Sequence, residues 1–158
     1  MSTLFYKALI ARMQTYPRQV HDVETLYAKA AALVEKFELD AHGDVVTETE
    51  KFREKLREYD VAMLACERRA QDLATDIQSD IVSAEEYDKS RGENMSLSDQ
   101  VEILASEYSR LRMVQHACRE HRKLAERGRR MLPMAQEQRS LRRLRLLIGE
   151  MQVLDEVK

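Results

Sequence analysis

The sequence predicts an all-α protein: an elongated antiparallel helical bundle or coiled coil with three to five helices. Two heptad seams carry apolar residues at alternating steps of three and four, the spacing of a helix face that is buried against another helix. The chain of 158 residues contains only four glycines and two prolines, and 34% of its residues are charged. This composition leaves little material for the many turns of a β fold.

The two seams lie in the first half of the chain. The shorter seam consists of Val20, Val23, Tyr27, Ala30, Val34 and Phe37. The longer seam consists of Phe52, Leu56, Tyr59, Met63, Cys66, Ala70, Leu73 and Ile77. Its next position is Asp80, and Ile81 and Ala84 take over the apolar role, which indicates a local shift of phase. The pattern leaves open whether each seam pairs within one chain or between two chains.

The first half is expected to form two or three helices. A short helix runs from Thr3 to about Thr15, and Pro17 then starts a new or kinked helix, because proline costs about 3 kcal/mol in a helix interior. That second helix carries the shorter seam and ends near Gly43, which is expected to supply a left-handed cap. Asp44 or Thr47 then caps a central helix from about Val45 to Lys89.

The second half is expected to form two more helices. A turn at 91–94 precedes a helix start with Ser96 as the cap and Asp99 in the first turn. Gly128 and Pro133 mark the end of this helix. A last helix from about Pro133 to Val157 carries a terminal seam of Leu141, Leu144, Ile148 and Met151. We expect one domain over 1–158, with a core hairpin at 17–91 and a helical extension at 96–158.

The basic side chains are concentrated in one stretch. The net charge is −2, but residues 119–145 hold ten arginines and lysines against three glutamates. Such a stretch can bind an acidic partner, or it can be neutralised by acidic neighbours within the bundle. No aromatic residue follows Tyr108, which disfavours nucleic-acid binding by base stacking and membrane-surface binding. The candidate protein contacts here are Arg129, Arg130, Arg142 and Arg143.

Sites for chemistry are sparse. His116 and Cys118 lie about 200° apart around a helix and cannot face one ion, while Cys118 and His121 alone do not make a metal site. No phosphate-binding glycine loop or nucleophile elbow is present, so we expect neither an enzyme nor a cofactor. Cys66 and Cys118 fall on apolar stripes as buried thiols, although a disulfide is not excluded. The start of the chain lacks a secretory pattern and no apolar run reaches about 18 residues, so a cytoplasmic location without a membrane span is expected.

The region from Val20 to Arg91 resembles tubulin-binding cofactor A, a family of small three-helix chaperones that hold β-tubulin. The resemblance lies in Tyr27-Ala-Lys29, Asp40-Ala-His-Gly43-Asp44, Met63-Leu-Ala-Cys66-Glu-Arg68-Arg69, Asp76-Ile-Gln78 and Glu85-Glu86-Tyr87. It implies binding of β-tubulin through charged and polar helix faces. The chain departs from the family in having Asp44-Val-Val-Thr-Glu48 where the second helix starts, in lacking a proline inside that helix, and in continuing for some 60 residues after Gly92.

The sequence therefore predicts a non-enzymatic protein-interaction module, as a monomer or homodimer, with β-tubulin as the partner that the resemblance implies. The candidate contacts on the central helix are Arg68, Arg69, Glu85, Glu86 and Tyr87. A coiled-coil stalk or adaptor subunit of a secretion, flagellar or cytoskeletal assembly is the alternative. Nucleic-acid binding through residues 119–145 ranks third.

Overall fold

A computed structural model describes the backbone of residues 3–91 and 97–156. The α-helices in these ranges are α1 (Thr3–Ala32), α2 (Val45–Arg91), α3 (Ser98–Gln138) and α4 (Arg142–Gln152). Single 3-10 turns follow α1 at Leu33–Lys36 and α4 at Leu154–Glu156. Helices account for 91% of the described residues and none of these residues is in a strand, which confirms the all-α helical bundle.

The chain divides into two compact units, and α1, α2 and α3 each contribute residues to both. Unit 1 comprises Met1–Thr25 and Glu67–His116, and unit 2 comprises Leu26–Cys66 and Ala117–Lys158. The expectation of a single domain over 1–158 stays a prediction.

The predicted seams are buried within the chain itself. Every residue of the longer seam is at most 1% exposed, and only Tyr27 of the shorter seam is more than 4% exposed. The terminal seam is also covered, at 0% for Leu144 and 7% for Leu141. Each fully buried leucine or phenylalanine contributes about 1.5–3 kcal/mol of transfer free energy. The seams therefore pair within one chain, which the periodicity alone left open.

Both prolines lie inside continuous helices. Of the new or kinked helix that was predicted at Pro17, the new helix is therefore wrong, and so is the helix end that was predicted at Pro133. Pro17 is exposed, whereas Tyr16 before it and Val20 three positions after it pack into the core of unit 1. This packing offsets the hydrogen bond that proline cannot donate.

Gly128 does not end a helix either. A Cβ atom at Gly128 would lie 2.8 Å from Cδ1 of Leu56 and 3.3 Å from Cδ2 of Leu147. Neighbouring side chains therefore approach the α3 backbone closely, and a larger residue at this position would require the Leu56 side chain to shift. In the sequence, a glycine that allows close packing cannot be distinguished from a glycine that ends a helix, because both lie late in a helical pattern.

The turn between α3 and α4 lies at Arg139, later than predicted. Arg139 has a φ of 51° and its N–H donates to Gln136 O at 3.3 Å. The Ser140 N–H donates to Ala135 O at 3.1 Å, the bond that closes a Schellman-type helix end. The last helix consequently starts at Arg142 rather than near Pro133; Val157 lies outside the described residues.

The start of α2 is confirmed, but the end of α1 is corrected. Asp44 accepts a hydrogen bond from the Thr47 N–H at 3.1 Å and so caps α2. α1 already ends at Ala32, and Gly43 does not have a left-handed backbone. Gly43 instead lies against Glu48, whose Oε1 would be 3.0 Å from an added Cβ. The predicted turn at 92–94 and the Ser96 cap lie outside the described residues.

Candidate protein-interaction surfaces

In unit 1, a buried carboxylate occupies the seam position where the phase shifts. Asp80 is 6% exposed and accepts hydrogen bonds from the Tyr16 hydroxyl at 2.6 Å and from Arg12 at 3.1 and 3.2 Å. Burial and the hydrogen bond to Asp80 raise the pKa of Tyr16 above its ordinary value of 10.0. The hydrogen bond to Asp80 also raises the pKa of Arg12. The carboxylate is thus held by a neutral phenol and a guanidinium.

In unit 2, a buried histidine lies at the centre of a second polar cluster. His121 is 1% exposed; its Nδ1 contacts the Tyr59 hydroxyl, and its Nε2 lies 2.9 Å from Asp155 Oδ1 and 3.0 Å from the Tyr27 hydroxyl. The Tyr27 hydroxyl also donates to Asp155 at 2.6 Å. A consistent assignment has Tyr59 donating to Nδ1 and Nε2–H donating to Asp155. Burial raises the pKa of both tyrosines.

The polar groups of these two clusters are paired within their own units. Each polar side-chain atom named above has a partner within its own unit, and the clusters tie α1, α2, α3 and the terminal 3-10 turn together. Among residues 3–91 and 97–156, no three histidines, cysteines or carboxylates are placed to hold a metal ion.

Cys66 and Cys118 are both buried and not joined in a disulfide. A hydrogen bond with Cys118 lowers the pKa of the Cys66 thiol, while burial opposes this shift.

The predicted contact residues of α2 divide into exposed charges and a buried ring. Arg68, Arg69, Glu85 and Glu86 are exposed in unit 1, and Arg69 donates to Gln19 at 3.3 Å. Tyr87 was also predicted as a contact residue, but it is only 1% exposed, so its ring is not available as a surface anchor. Its ring lies 5.2 Å from that of Tyr6 and 6.3 Å from that of Phe5. The shifted seam through Ile81 and Ala84 continues to Tyr87, so the sequence pattern contained this signal.

The basic stretch is divided into a neutralised part and an unpaired part. In residues 119–130, five cations form ion pairs with carboxylates of unit 2: Arg122 and Arg129 with Asp60, Lys123 with Glu120, Arg127 with Glu150, and Arg130 with Glu126. Two predicted contacts, Arg129 and Arg130, therefore already have partners. The other two, Arg142 and Arg143, are exposed and form no ion pair with another described residue.

Unit 1 also contains an apolar groove that the sequence did not predict. It has a volume of about 340 Å³ and lies between α1 and α3, lined by Ile10, Met13, Gln14, Pro17, Gln100, Ile103 and Leu104. The Oε1 atom of Gln100 is buried and has no hydrogen-bond partner. Periodicity could not reveal this groove, because it is formed by residues nearly 90 positions apart in the chain.

Comparison of the chain with protein-family models, curated proteins and solved structures found no match. The resemblance to tubulin-binding cofactor A therefore rests only on the residues quoted above. Within the described ranges, no helix combines the length and the apolar character that crossing a bilayer requires.

Proposed function

We propose that this protein is a non-enzymatic interaction module that binds a protein partner through charged helix faces. The observation that carries the proposal is the contrast between paired and unpaired polar groups. The buried clusters around Asp80 and His121 are satisfied internally, whereas Arg68, Glu85 and Glu86 are exposed and make no ion pair with another described residue. Exposed charges of this kind give specificity and a high association rate to a protein contact.

Binding of a tubulin subunit is the most concrete form of this proposal. The resemblance to tubulin-binding cofactor A implies contacts on charged helix faces, and α2 presents four such side chains on the surface of unit 1. These are Arg68, Arg69, Glu85 and Glu86. Such contacts steer association electrostatically, so the affinity should fall as salt rises.

The test is a titration of labelled protein with isolated β-tubulin, followed by fluorescence anisotropy at about 50 mM and about 300 mM NaCl. The two charge reversals are Glu85→Lys with Glu86→Lys, and Arg68→Glu with Arg69→Glu. A matched control on the same helix is Glu54→Lys with Glu58→Lys, since both residues are exposed in unit 2. We expect either test variant to weaken binding about tenfold, and the control less than about twofold.

Wild-type affinity in both test variants would contradict the assignment of the α2 face. Absence of tubulin binding at low salt would reject tubulin as the partner. The stalk or adaptor subunit stays the alternative, and it predicts a stable dimer in light scattering, whereas the residues of the terminal seam are buried within one chain.

A further inference from the structure

Unit 2 contains a surface hollow of about 260 Å³ between the turn that precedes α2 and the turn that joins α3 to α4. One side is formed by Ala41, Gly43 and Val45. The other side carries three exposed arginines together with Ser140 and Leu141; the arginines are Arg139, Arg142 and Arg145. We call these three arginines and their surroundings the arginine hollow.

The arginines of this hollow are the part of the basic stretch that the protein does not neutralise. None of the three forms an ion pair with another described residue, whereas five cations at 119–130 each have a carboxylate partner. Three like charges around one concave surface repel each other and attract anions. Arginine also presents a planar fork of donors that matches a carboxylate in a bidentate geometry.

Two local features add to the positive character of the hollow. Helix α4 begins without an acidic residue in its first turn, so no carboxylate offsets the positive end of its dipole, and the Ser140 Oγ accepts a long hydrogen bond of 3.4 Å from the Arg142 N–H. Arg139 has a φ of 51°, a conformation that glycine or asparagine adopts at lower cost. A long cationic side chain is therefore present at a position where backbone energetics favours glycine.

We propose that the arginine hollow binds the carboxylates of an acidic segment of a protein partner. This inference rests on the proposed function and specifies the chemistry of the partner at a second surface. A nucleic acid fits less well because no aromatic residue follows Tyr108 to stack on bases. A lipid surface also fits less well, since Leu146 is the one large apolar side chain of described α4 that is strongly exposed.

The test uses the full chain and a fluorescently labelled oligoglutamate peptide, with anisotropy as the readout. The test variant combines Arg139→Gln, Arg142→Gln and Arg145→Gln. The matched control combines Arg57→Gln, Lys123→Gln and Arg130→Gln, which removes the same charge from exposed ion pairs within single helices. We expect salt-sensitive binding that the test variant weakens about tenfold or more and the control less than about twofold. Arg139→Gly should raise the thermal midpoint and weaken binding, because it removes both the backbone strain and the cation.

Three results would overturn the proposal. The first is an equal loss of peptide affinity in the test and control variants. The second is no peptide binding at low salt, and the third is tighter binding of a short DNA duplex or of phosphatidylserine vesicles than of the peptide. The two proposals fail separately. Oligoglutamate binding without tubulin binding rejects tubulin alone, and tubulin binding without oligoglutamate binding rejects the arginine hollow alone.

Discussion

The same three long helices contribute to both units, but the two units carry net charges of opposite sign. By sequence, unit 1 has nine basic and 13 acidic residues, a net charge of −4, whereas unit 2 has 17 and 15, a net charge of +2. The ion clusters that join α3 to a neighbouring helix show the same reversal. In unit 1 Arg110 pairs with Glu24 and Glu107, and in unit 2 Asp60 pairs with Arg122 and Arg129. The helical scaffold thus accommodates a cluster with an excess carboxylate in unit 1 and a cluster with an excess guanidinium in unit 2.

Both buried polar clusters include a charged partner that is about half exposed to solvent, but they differ at their centres. Asp80 in unit 1 relies on Arg12, whose side chain is 51% exposed. His121 in unit 2 lies against Tyr59, which is fully buried, and its contacts bring in Tyr27 and Asp155. Water can replace the charged partner at either cluster, since the Asp155 side chain is 48% exposed, but it cannot reach the Tyr59 hydroxyl. Disruption should therefore be more costly in unit 2.

The largest expected effect comes from replacing the two central side chains. His121→Ala should lower the free energy of unfolding by about 3 kcal/mol, because it leaves a cavity and an unsatisfied buried Tyr59 hydroxyl. Asp80→Ala should cost about 1–2 kcal/mol, since water can reach Arg12 and the rim of that cluster. Urea unfolding measures both values. An equal or larger loss for Asp80→Ala would reverse the ranking of the two clusters.

The next effect tests how closely helices pack in unit 2. Gly128→Ala should lower stability by about 1–2 kcal/mol, because the new Cβ would lie 2.8 Å from the buried Leu56 side chain. Gly149→Ala is the matched control, since nothing lies within 4 Å of its added Cβ. It should raise stability by up to about 1 kcal/mol through helix propensity. Stabilisation by both substitutions would show that Leu56 can move aside.

Alkaline pH should destabilise unit 2 more than unit 1, because the His121 cluster contains two tyrosines with a raised pKa and the Asp80 cluster contains one. A tyrosine whose folded pKa is raised keeps its proton in the folded state while the unfolded state loses it above pH 10. The stability is therefore complete below pH 10 and falls as the pH rises. Removing the hydroxyl with Tyr59→Phe should reduce the loss between about pH 10 and about pH 11 by about 1 kcal/mol. Thermal or urea unfolding of wild type and variant across this range measures the difference, and parallel curves would contradict the assignment.

The sequence was sufficient for the features that repeat along a helix and insufficient for those that depend on distant partners. The heptad rhythm from Phe52 to Ile77 predicted a buried face, and the capping residue Asp44 predicted the start of α2 at Val45. It could not predict the His121 cluster, because the partners of His121 lie 94, 62 and 34 positions away. Local propensity also misplaced the helix ends at Pro17 and Pro133, where tertiary packing overrides the local cost of proline.

Charge patterns showed the same limit. The excess of arginine at 119–145 was visible in the sequence, but its division into paired and unpaired parts depends on Asp60, which lies 62 and 69 positions from Arg122 and Arg129. Arg139 and Arg145 could be recognised as candidate contacts only from the tertiary structure, which places the turn before α2 beside them. Candidate contacts on a helical surface therefore need the tertiary structure before paired and unpaired charges can be distinguished.

The smallest expected effect tests the opposite ion clusters with which this comparison began. Arg110→Gln leaves Glu24 and Glu107 facing each other without their shared cation, and Glu107 is 8% exposed. Asp60→Asn leaves two guanidiniums whose side chains are 34% and 47% exposed, so water solvates them more fully. We expect the free energy of unfolding to fall by about 1 kcal/mol for Arg110→Gln and by about 0.5 kcal/mol for Asp60→Asn.

Urea unfolding at about 0.1 M and about 1 M NaCl distinguishes repulsion from lost packing, because the screening length falls from about 10 Å to about 3 Å. Like-charge repulsion should fade at high salt, so the loss in Arg110→Gln should shrink. Adding Glu107→Gln to Arg110→Gln should recover part of the stability, since it removes one of the two facing carboxylates. A loss that neither salt nor the second substitution reduces would mean that the Arg110 side chain stabilises unit 1 by packing rather than by charge.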